Sequence, residues 1–152
     1  MTQRAGAAML SAAAFKVLRR CCPALVLSVD ADAYARSTYS WLVAVDAQTL
    51  RFAVDGGGDT SANLVRDGRA TLQVIGQGGL SLLLRGPVQR LASTPPALAE
   101  LGMEAWQLQI AEQTDQAWPG VRTSSLRYRA ADASAVPTMR QLGSRIGAGL
   151  LG

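Results

Sequence analysis

The sequence contains no histidine among its 152 residues, only one lysine, Lys16, and only two cysteines. The absence of histidine removes the commonest general base, the commonest zinc ligand and the usual proximal haem ligand. Cys21 and Cys22 are neighbours, so ordinary disulfide geometry is out of reach, and two thiols without histidine make no tetrahedral metal site. The sequence therefore predicts no metal site and no disulfide scaffold, and we expect a reducing, cytoplasmic location.

Charge and long apolar runs are also scarce. Charged residues make up 17% of the chain, and the net charge of +4 comes from scattered arginines. The longest basic run is Arg19-Arg20, which is too short to form a nucleic-acid footprint. The apolar residues 5–15 are followed by Lys16, which favours an amphipathic helix over a secretory core, and no later stretch reaches the ~18 apolar residues of a membrane span. We expect neither nucleic acid nor a membrane as a partner.

Apolar residues are plentiful, because 49% of the chain is hydrophobic. That amount of apolar material is enough for one buried core at this length. The sequence shows no internal repeat and no linker. We therefore expect residues 1–152 to form a single domain.

Hydrophobic periodicity and turn residues divide the chain into short elements. In order, they predict a helix that ends before Pro23, strands at 24–29, 39–45 and 50–54, a helix at 60–67, strands at 70–75 and 80–91, a longer helix from 96 to 110, a strand at 121–131 and a terminal helix after Pro137. Gly86-Pro87 predicts a bend in the longest strand. Since strands dominate and the helices do not alternate with them, we predict a mainly β (α+β) fold, a six-stranded antiparallel barrel with peripheral helices.

Four segments carry a family resemblance when they are taken in order. They are the strand pair 41–45 and 50–54, then 63–74, which begins with Asn63-Leu64, and finally 82–91 with its internal glycine. This succession of strand, strand, loop, helix and strand resembles the pyridoxamine 5'-phosphate oxidase-like, FMN-binding split-barrel superfamily. The resemblance covers about half of the chain and implies a closed split barrel.

The resemblance also implies a homodimer that binds FMN in a groove between its subunits. Ser40 and Trp41 would then lie on the strand beneath the cofactor, and the main chain of Ala53 and Val54 would face the isoalloxazine ring. Ser81 falls near the place from which the partner subunit would reach the cofactor. These are the positions that we expect to contact the ring.

The positions expected to contact the phosphate depart from the family pattern. Thr60, three residues before Asn63, stands where flavin-binding members usually have a lysine, and Asp59 and Thr38 stand where arginine is common. A phosphate dianion needs charge-assisted donors or a cluster of backbone amides. The groups that could compensate are Gly56, Gly57, Gly58, Thr60, Ser61 and Asn63 with the start of the helix, and the side chains of Arg36, Arg51 and Arg66.

Several of these residues also have an ordinary structural explanation. The hydroxyl of Thr60 or Ser61 is typical of a helix cap. Three consecutive glycines are typical of a flexible turn, and Trp41 on an apolar strand is typical of a core residue. Both interpretations remain open at this stage.

The leading hypothesis is an FMN-dependent oxidoreductase with an unidentified small-molecule substrate. No pair of carboxylates suggests an acid and a base, so the catalytic residues are unknown, and the cofactor would supply the redox chemistry. One alternative is a relative that uses a deazaflavin. Another is a non-catalytic split-barrel dimer that has lost the phosphate clamp and acts as a binding or interaction module, as Thr38, Asp59 and Thr60 suggest.

Overall fold

The computed structural model describes residues 8–134 and 136–152, and only the backbone of residues 136–141. Its helices are α1 (Ala12–Leu18), α2 (Asp59–Asp67), α3 (Pro96–Ala99) and α4 (Val136–Leu151). Its strands are β1 (Cys22–Val29), β2 (Ala35–Ala44), β3 (Thr49–Asp55), β4 (Arg69–Ile75), β5 (Ser81–Arg90), β6 (Met103–Gln109) and β7 (Glu112–Asp115). Within the described residues, every helix is too short or too polar to cross a membrane.

Six strands form a closed antiparallel barrel. Their order is β4-β1-β2-β3-β6-β5, and β5 pairs again with β4 to close the ring, while β7 adds to the other edge of β5. Ring closure removes the long exposed edges that such apolar strands would otherwise present. The prediction of a six-stranded antiparallel barrel is confirmed, and β7 is an addition to it.

The barrel wall packs apolar side chains on its inner face and, where helices cover it, on its outer face. Side chains alternate along β1 between buried and half-buried positions, as the period of two requires. The inward residues form the main core, which includes Val26, Leu42, Phe52, Leu72, Leu84 and Leu108. A second cluster lies outside the barrel, where α3 and α4 cover β2, β3 and β6, and it contains Val43, Ala53, Leu98, Ala105, Ile146 and Leu150. The predicted terminal helix is therefore present and is held by packing.

The helix predicted for residues 96–110 is wrong. Helix α3 ends at Ala99, and the chain then enters β6, which pairs with β3 from Asp55↔Met103 to Thr49↔Gln109 and also with β5. Two flanking strands supply hydrogen-bond partners for this segment, and such tertiary pairing outweighs local helical spacing. The period-two signal was present in the sequence, since Trp106 and Leu108 are buried and alternate with glutamines.

The strand predicted for residues 121–131 is also wrong. These residues are irregular, and they cross the end of β4, where the Leu126 amide donates to the Ile75 carbonyl at 3.0 Å. The adjacent edge of β5 is already taken by β7, so it offers no ladder to this segment. Arg122, Arg127 and Arg129 are consequently exposed on an irregular chain instead of sharing one strand face.

Gly86-Pro87 does not break β5, which continues to Arg90. The interruption lies in its partner, because β5 pairs with β7 up to Arg85 and with β6 only from Val88. At this junction the Ala111 amide donates to the Arg85 carbonyl at 2.8 Å. At the position of the predicted bend, β5 itself is continuous. What changes there is its pairing partner, from β7 to β6, and the chain between these two strands passes close to Gly86.

Candidate functional site

Strands β2 and β3 separate at one end of the barrel. Their pairing runs only from Ala44↔Leu50 to Leu42↔Phe52, although β2 extends back to Ala35 and β3 continues to Asp55. Beyond the last pair, the Ser40 hydroxyl donates to the Ala53 carbonyl and bridges the two strands. We call this region, residues 35–41 and 53–55 with the start of α2, the β2–β3 split.

Helix α2 begins at the split and brings two threonine hydroxyls together. Thr60 lies in its first turn and is buried, and its Oγ1 is 2.8 Å from Thr38 Oγ1 on β2. The helix is capped by Gly58 without a side-chain bond, so the interpretation of Thr60 or Ser61 as the cap is wrong. Both hydroxyls fall inside the helix because it starts at Asp59. Among the described residues, the amides of Asp59, Thr60 and Ser61 meet no acceptor, as is usual for a first turn.

Arg36 supplies a cation at the split. It lies two residues before Thr38, and so on the same face of β2. Its Nη2 is 3.1 Å from Asp59 Oδ2, and its Nε donates to Asp30 Oδ1 at 2.7 Å. The hydrogen bond from Arg36, followed by that from Asn63, lowers the pKa of Asp30, and the bond to Asp30 raises the pKa of Arg36. Of the three arginines that could compensate for the missing lysine, Arg36 is the one that lies at the predicted phosphate position.

The other two arginines are committed elsewhere. Arg51 donates to the Leu150 carbonyl at 3.0 Å and thereby fastens the end of α4. Arg66 contacts Asp67 at 3.1 Å and donates to the carbonyl of Val29. Arg51 therefore does not contact the split. Arg66 reaches only its margin, where its Nη2 donates to Asn63 Oδ1 at 3.1 Å and its charge contributes to lowering the pKa of Asp30.

The side chains of Ser61 and Asn63 attach α2 to neighbouring parts of the chain through hydrogen bonds. Ser61 Oγ donates to Glu104 Oε2 at 2.7 Å. The Asn63 amide donates to Asp30 Oδ1 at 2.7 Å and to Ser28 Oγ at 3.1 Å. Both residues therefore hold the helix in place with hydrogen bonds inside the chain. Glu104 was missed by sequence reasoning because its segment was interpreted as a helix.

An aromatic cluster lies on the outer face of β2. It consists of Tyr39, Trp41 and Tyr128, and the Tyr128 ring centroid is 4.8 Å from that of Trp41 and 5.9 Å from that of Tyr39, both edge to face. The Tyr128 hydroxyl is 2.6 Å from the Ser40 carbonyl, and burial raises its pKa to about 12, so the phenol stays protonated. Tyr39 is 72% exposed, which leaves an aromatic surface open beside the split.

Of the remaining predicted ring contacts, Ala53 meets Ser40 through its carbonyl at the split, whereas Ser81 lies apart from both. Ala53 packs beneath α4 and Val54 faces the barrel core, and both are fully buried. Ser81 begins β5, and β1 and β4 lie between it and β2. Contact of Ala53, Val54 and Ser81 with a cofactor therefore stays a prediction, and for Ser81 it requires a second subunit.

We expect Asp30→Asn to lower the melting temperature by a few degrees at neutral pH. The pKa of Asp30 is lowered from its ordinary value of 3.8 in the folded chain, so its ionised form favours folding above that value. This contribution disappears as the pH falls through the lowered pKa. Thermal unfolding from pH ~7 to pH ~2 should therefore show the two proteins converging in acid. A constant difference between them at every pH would contradict the assignment.

Metal-ligating clusters and reactive thiols would be the alternatives to the split among the residues that the structure describes. Among the described residues, no three metal-ligating side chains are grouped. Burial raises the pKa of Cys21 to about 11 and that of Cys22 to about 12, so both remain neutral thiols near neutral pH. Within the described part of the chain, neither a metal cluster nor a reactive thiol offers an alternative site.

Comparison with known proteins identifies the family. The pyridoxamine 5'-phosphate oxidase family model matches residues 10–136. The chain belongs to this family, and it is a split-barrel protein. No curated protein matches the sequence.

Solved structures share the fold at low sequence identity. A candidate pyridoxamine 5'-phosphate oxidase of Lactobacillus delbrueckii is 13% identical, with 74% of this chain and 98% of that chain covered and a TM-score of 0.57. An F420 reductase is 15% identical, with 64% and 93% covered and a TM-score of 0.54. A protein of Clostridium acetobutylicum related to general stress protein 26 is 11% identical, with 68% and 85% covered and a TM-score of 0.54.

The hydrogen-bond donors at the split are of the chemical types that bind a phosphate group. A guanidinium on Arg36, the hydroxyl pair of Thr38 and Thr60, and the open amides of α2 are the groups that bind phosphate oxygens in proteins. Two of the glycine-loop amides are not available, since that of Gly56 donates to Gly102 and that of Gly58 to Asp55. Two carboxylates among the described residues oppose a phosphate there, those of Asp30 and Asp59, because both contact Arg36.

Proposed function

We propose that the protein binds a flavin nucleotide at the β2–β3 split and acts as a flavin-dependent oxidoreductase. The observation that carries the proposal is the convergence of Arg36, the Thr38–Thr60 hydroxyl pair and the first turn of α2 in a chain of this family. When bound, FMN supplies the hydride or electron chemistry, so the absence of histidine is no obstacle.

The residues of the chain have separable tasks in this proposal. Arg36 neutralises phosphate charge, and Thr38 and Thr60 donate to its oxygens while the helix dipole favours the anion. The exposed ring of Tyr39 offers an aromatic surface for the flavin ring on the opposite face of the same strand. The Tyr128 phenol, held protonated, keeps the edge of β2 in place through the Ser40 carbonyl.

A homodimer completes the proposed site. Two strands, β4 and β1, separate Ser81 from β2 within one chain, so a second copy is the simplest way to bring it to the ring. We take the whole chain as one split-barrel domain of that dimer. The substrate is a small molecule that meets the ring between the subunits.

Substitution of Arg36 tests the proposal. An absorbance spectrum of the purified protein, followed by FMN titration monitored by flavin fluorescence, should reveal flavin bands or saturable quenching. Arg36→Ala should weaken FMN binding about fivefold, since one shared charge-assisted contact is lost. Arg85→Ala is the matched control, because Arg85 is also an exposed arginine in an ion pair, with Glu112 on the outer face of the barrel. Equal affinities of the two variants would contradict the proposed site.

A deazaflavin is a second candidate cofactor, suggested by the structural similarity to an F420 reductase. The exposed Arg122, Arg127 and Arg129 favour a longer anionic tail than that of FMN. Reconstitution with each cofactor in turn distinguishes the two candidates by their absorbance and affinity.

A non-catalytic binding or interaction module is the third candidate, and the Arg36–Asp59 ion pair favours it. In that case the purified protein is colourless and neither cofactor quenches or binds. The fold would then have been kept without the phosphate clamp, and the dimer surface would carry the function.

A further inference from the structure

Asp59 places a carboxylate where a flavin phosphate would reach the chain. We propose that Asp59 determines ligand specificity by opposing the phosphate, so that the site binds an unphosphorylated flavin about as tightly as FMN. This inference rests on the proposed flavin-binding function and names the preferred form of the ligand. It follows from three properties of Asp59: its ion pair, its place in the helix and its exposure.

The first property is the ion pair with Arg36. The guanidinium is held by Asp59 through Nη2 and by Asp30 through Nε. Arg36, Asp30 and Asp59 together carry a formal charge of −1. Arg66 acts on Asp30 and Asp32 acts on Arg36, and since they add one charge of each sign, the surroundings stay at −1 before any ligand arrives. A phosphate dianion must therefore enter a negatively charged cluster and compete with Asp59 for Arg36.

The second property is the position of Asp59 in the first turn of α2. A carboxylate there already interacts favourably with the positive end of the helix dipole. The same residue thus occupies both features that attract a phosphate, the arginine and the helix N-terminus. A phosphate therefore gains less from each of them while Asp59 is present.

The third property is exposure. The Asp59 side chain is 76% exposed and that of Arg36 is 37% exposed, so solvent screens their pair and the carboxylate can move aside. A displaced Asp59 nevertheless stays on the same turn of α2 and keeps repelling the dianion. The repulsion is therefore a property of the residue and does not depend on one rotamer.

The neutral donors at the split suit an uncharged tail. The Thr38 and Thr60 hydroxyls lie 2.8 Å apart and can each donate or accept. The hydroxyl groups of a ribityl chain can exchange hydrogen bonds with such a pair without any charge requirement. Riboflavin keeps these hydroxyls and the ring and lacks only the phosphate.

The experiment compares FMN with riboflavin in three proteins. Dissociation constants are measured by fluorescence quenching for the native chain, for Asp59→Asn, and for Asp46→Asn as a control with the same charge change in the exposed β2–β3 turn at the opposite end of β2. In the native chain and the control, we expect the two affinities to agree within about threefold. In Asp59→Asn, FMN should bind about tenfold more tightly and riboflavin should change little, and added salt should reduce the gain.

The outcomes separate this inference from the proposed function. If both flavins bind and Asp59→Asn leaves their ratio unchanged, or if the native chain already prefers FMN by about a hundredfold, the inference is wrong and the flavin site stands. If no protein binds either flavin while thermal unfolding shows all three folded, the proposed function fails and the inference fails with it.

Discussion

Gly86→Ala is expected to prevent the barrel from closing. A Cβ at this position would lie 1.8 Å from the Gln109 carbonyl oxygen and 2.9 Å from its carbonyl carbon. Both atoms belong to the backbone of β6, a strand of the barrel ring, so no side-chain rotation can relieve the overlap. Relief requires β6 to move away from β5, where the Ala111 amide donates to Arg85. We expect a loss of more than about 4 kcal/mol, which is exceptional for one methyl group.

Thermal unfolding followed by circular dichroism, together with the soluble yield, measures this effect. Gly143→Ala is the control. Gly143 lies in α4, and the nearest atom to a Cβ there would be Trp41 Nε1 on β2, at an ordinary contact distance of 3.6 Å. Replacement of a helical glycine by alanine should be neutral or stabilise by up to about 1 kcal/mol. A folded Gly86→Ala protein with a native melting temperature would show that β5 and β6 are not joined as described.

The strands of the first half of the chain were predictable from local patterns. Residues 24–29 and 50–54 are bounded by turn residues, and their side chains alternate or run apolar as strands of a two-sided wall do. The end of α2 was predictable too, since Gly68 adopts the left-handed conformation that terminates a helix. Each of these signals comes from residues that are close together in the sequence, so the elements could be predicted without knowledge of the tertiary structure.

The second half could not be predicted in the same way because its strand is fixed by distant partners. β6 is a strand because its backbone forms hydrogen bonds with β3 on one side and with β5 on the other, which completes the barrel. Leu98 and Leu101 do share a helical turn, and this spacing masked the alternation that starts after Gly102. Because the segment was interpreted as a helix, Glu104 was not identified as a functional candidate, although its carboxylate accepts hydrogen bonds from Ser61 and from the Trp106 indole.

The candidate site was only partly predictable for a related reason. Thr38 and Thr60 were identified as two unusual positions, but their contact depends on how α2 packs against β2. The role of Arg36 depends on the same packing, since Asp59 is 23 positions further along the chain. The signal available in the sequence was the shared face of Arg36 and Thr38, two residues apart on a strand.

Thr60→Lys is expected to strengthen FMN binding about thirtyfold, the effect of one new charge-assisted hydrogen bond worth about 2 kcal/mol. Thr60 is buried in the first turn of α2, where the apolar stem of a lysine can stay covered while its ammonium group reaches toward Arg36 and the open amides. The same ammonium group also offsets the charge of Asp59. FMN titration by fluorescence quenching measures the gain, and it should decline as salt is added.

Thr60→Met is the matched control, because it has a long flexible side chain and no charge. Both substitutions remove the Thr38–Thr60 hydrogen bond and place a larger side chain at a buried position, so both should lower the melting temperature by a similar amount. Only the lysine variant should gain affinity for FMN, and it should gain little for riboflavin. An equal change in both variants would mean that side-chain volume at residue 60 affects binding and that the charge does not. A folded lysine variant with unchanged FMN affinity would place the phosphate away from the first turn of α2.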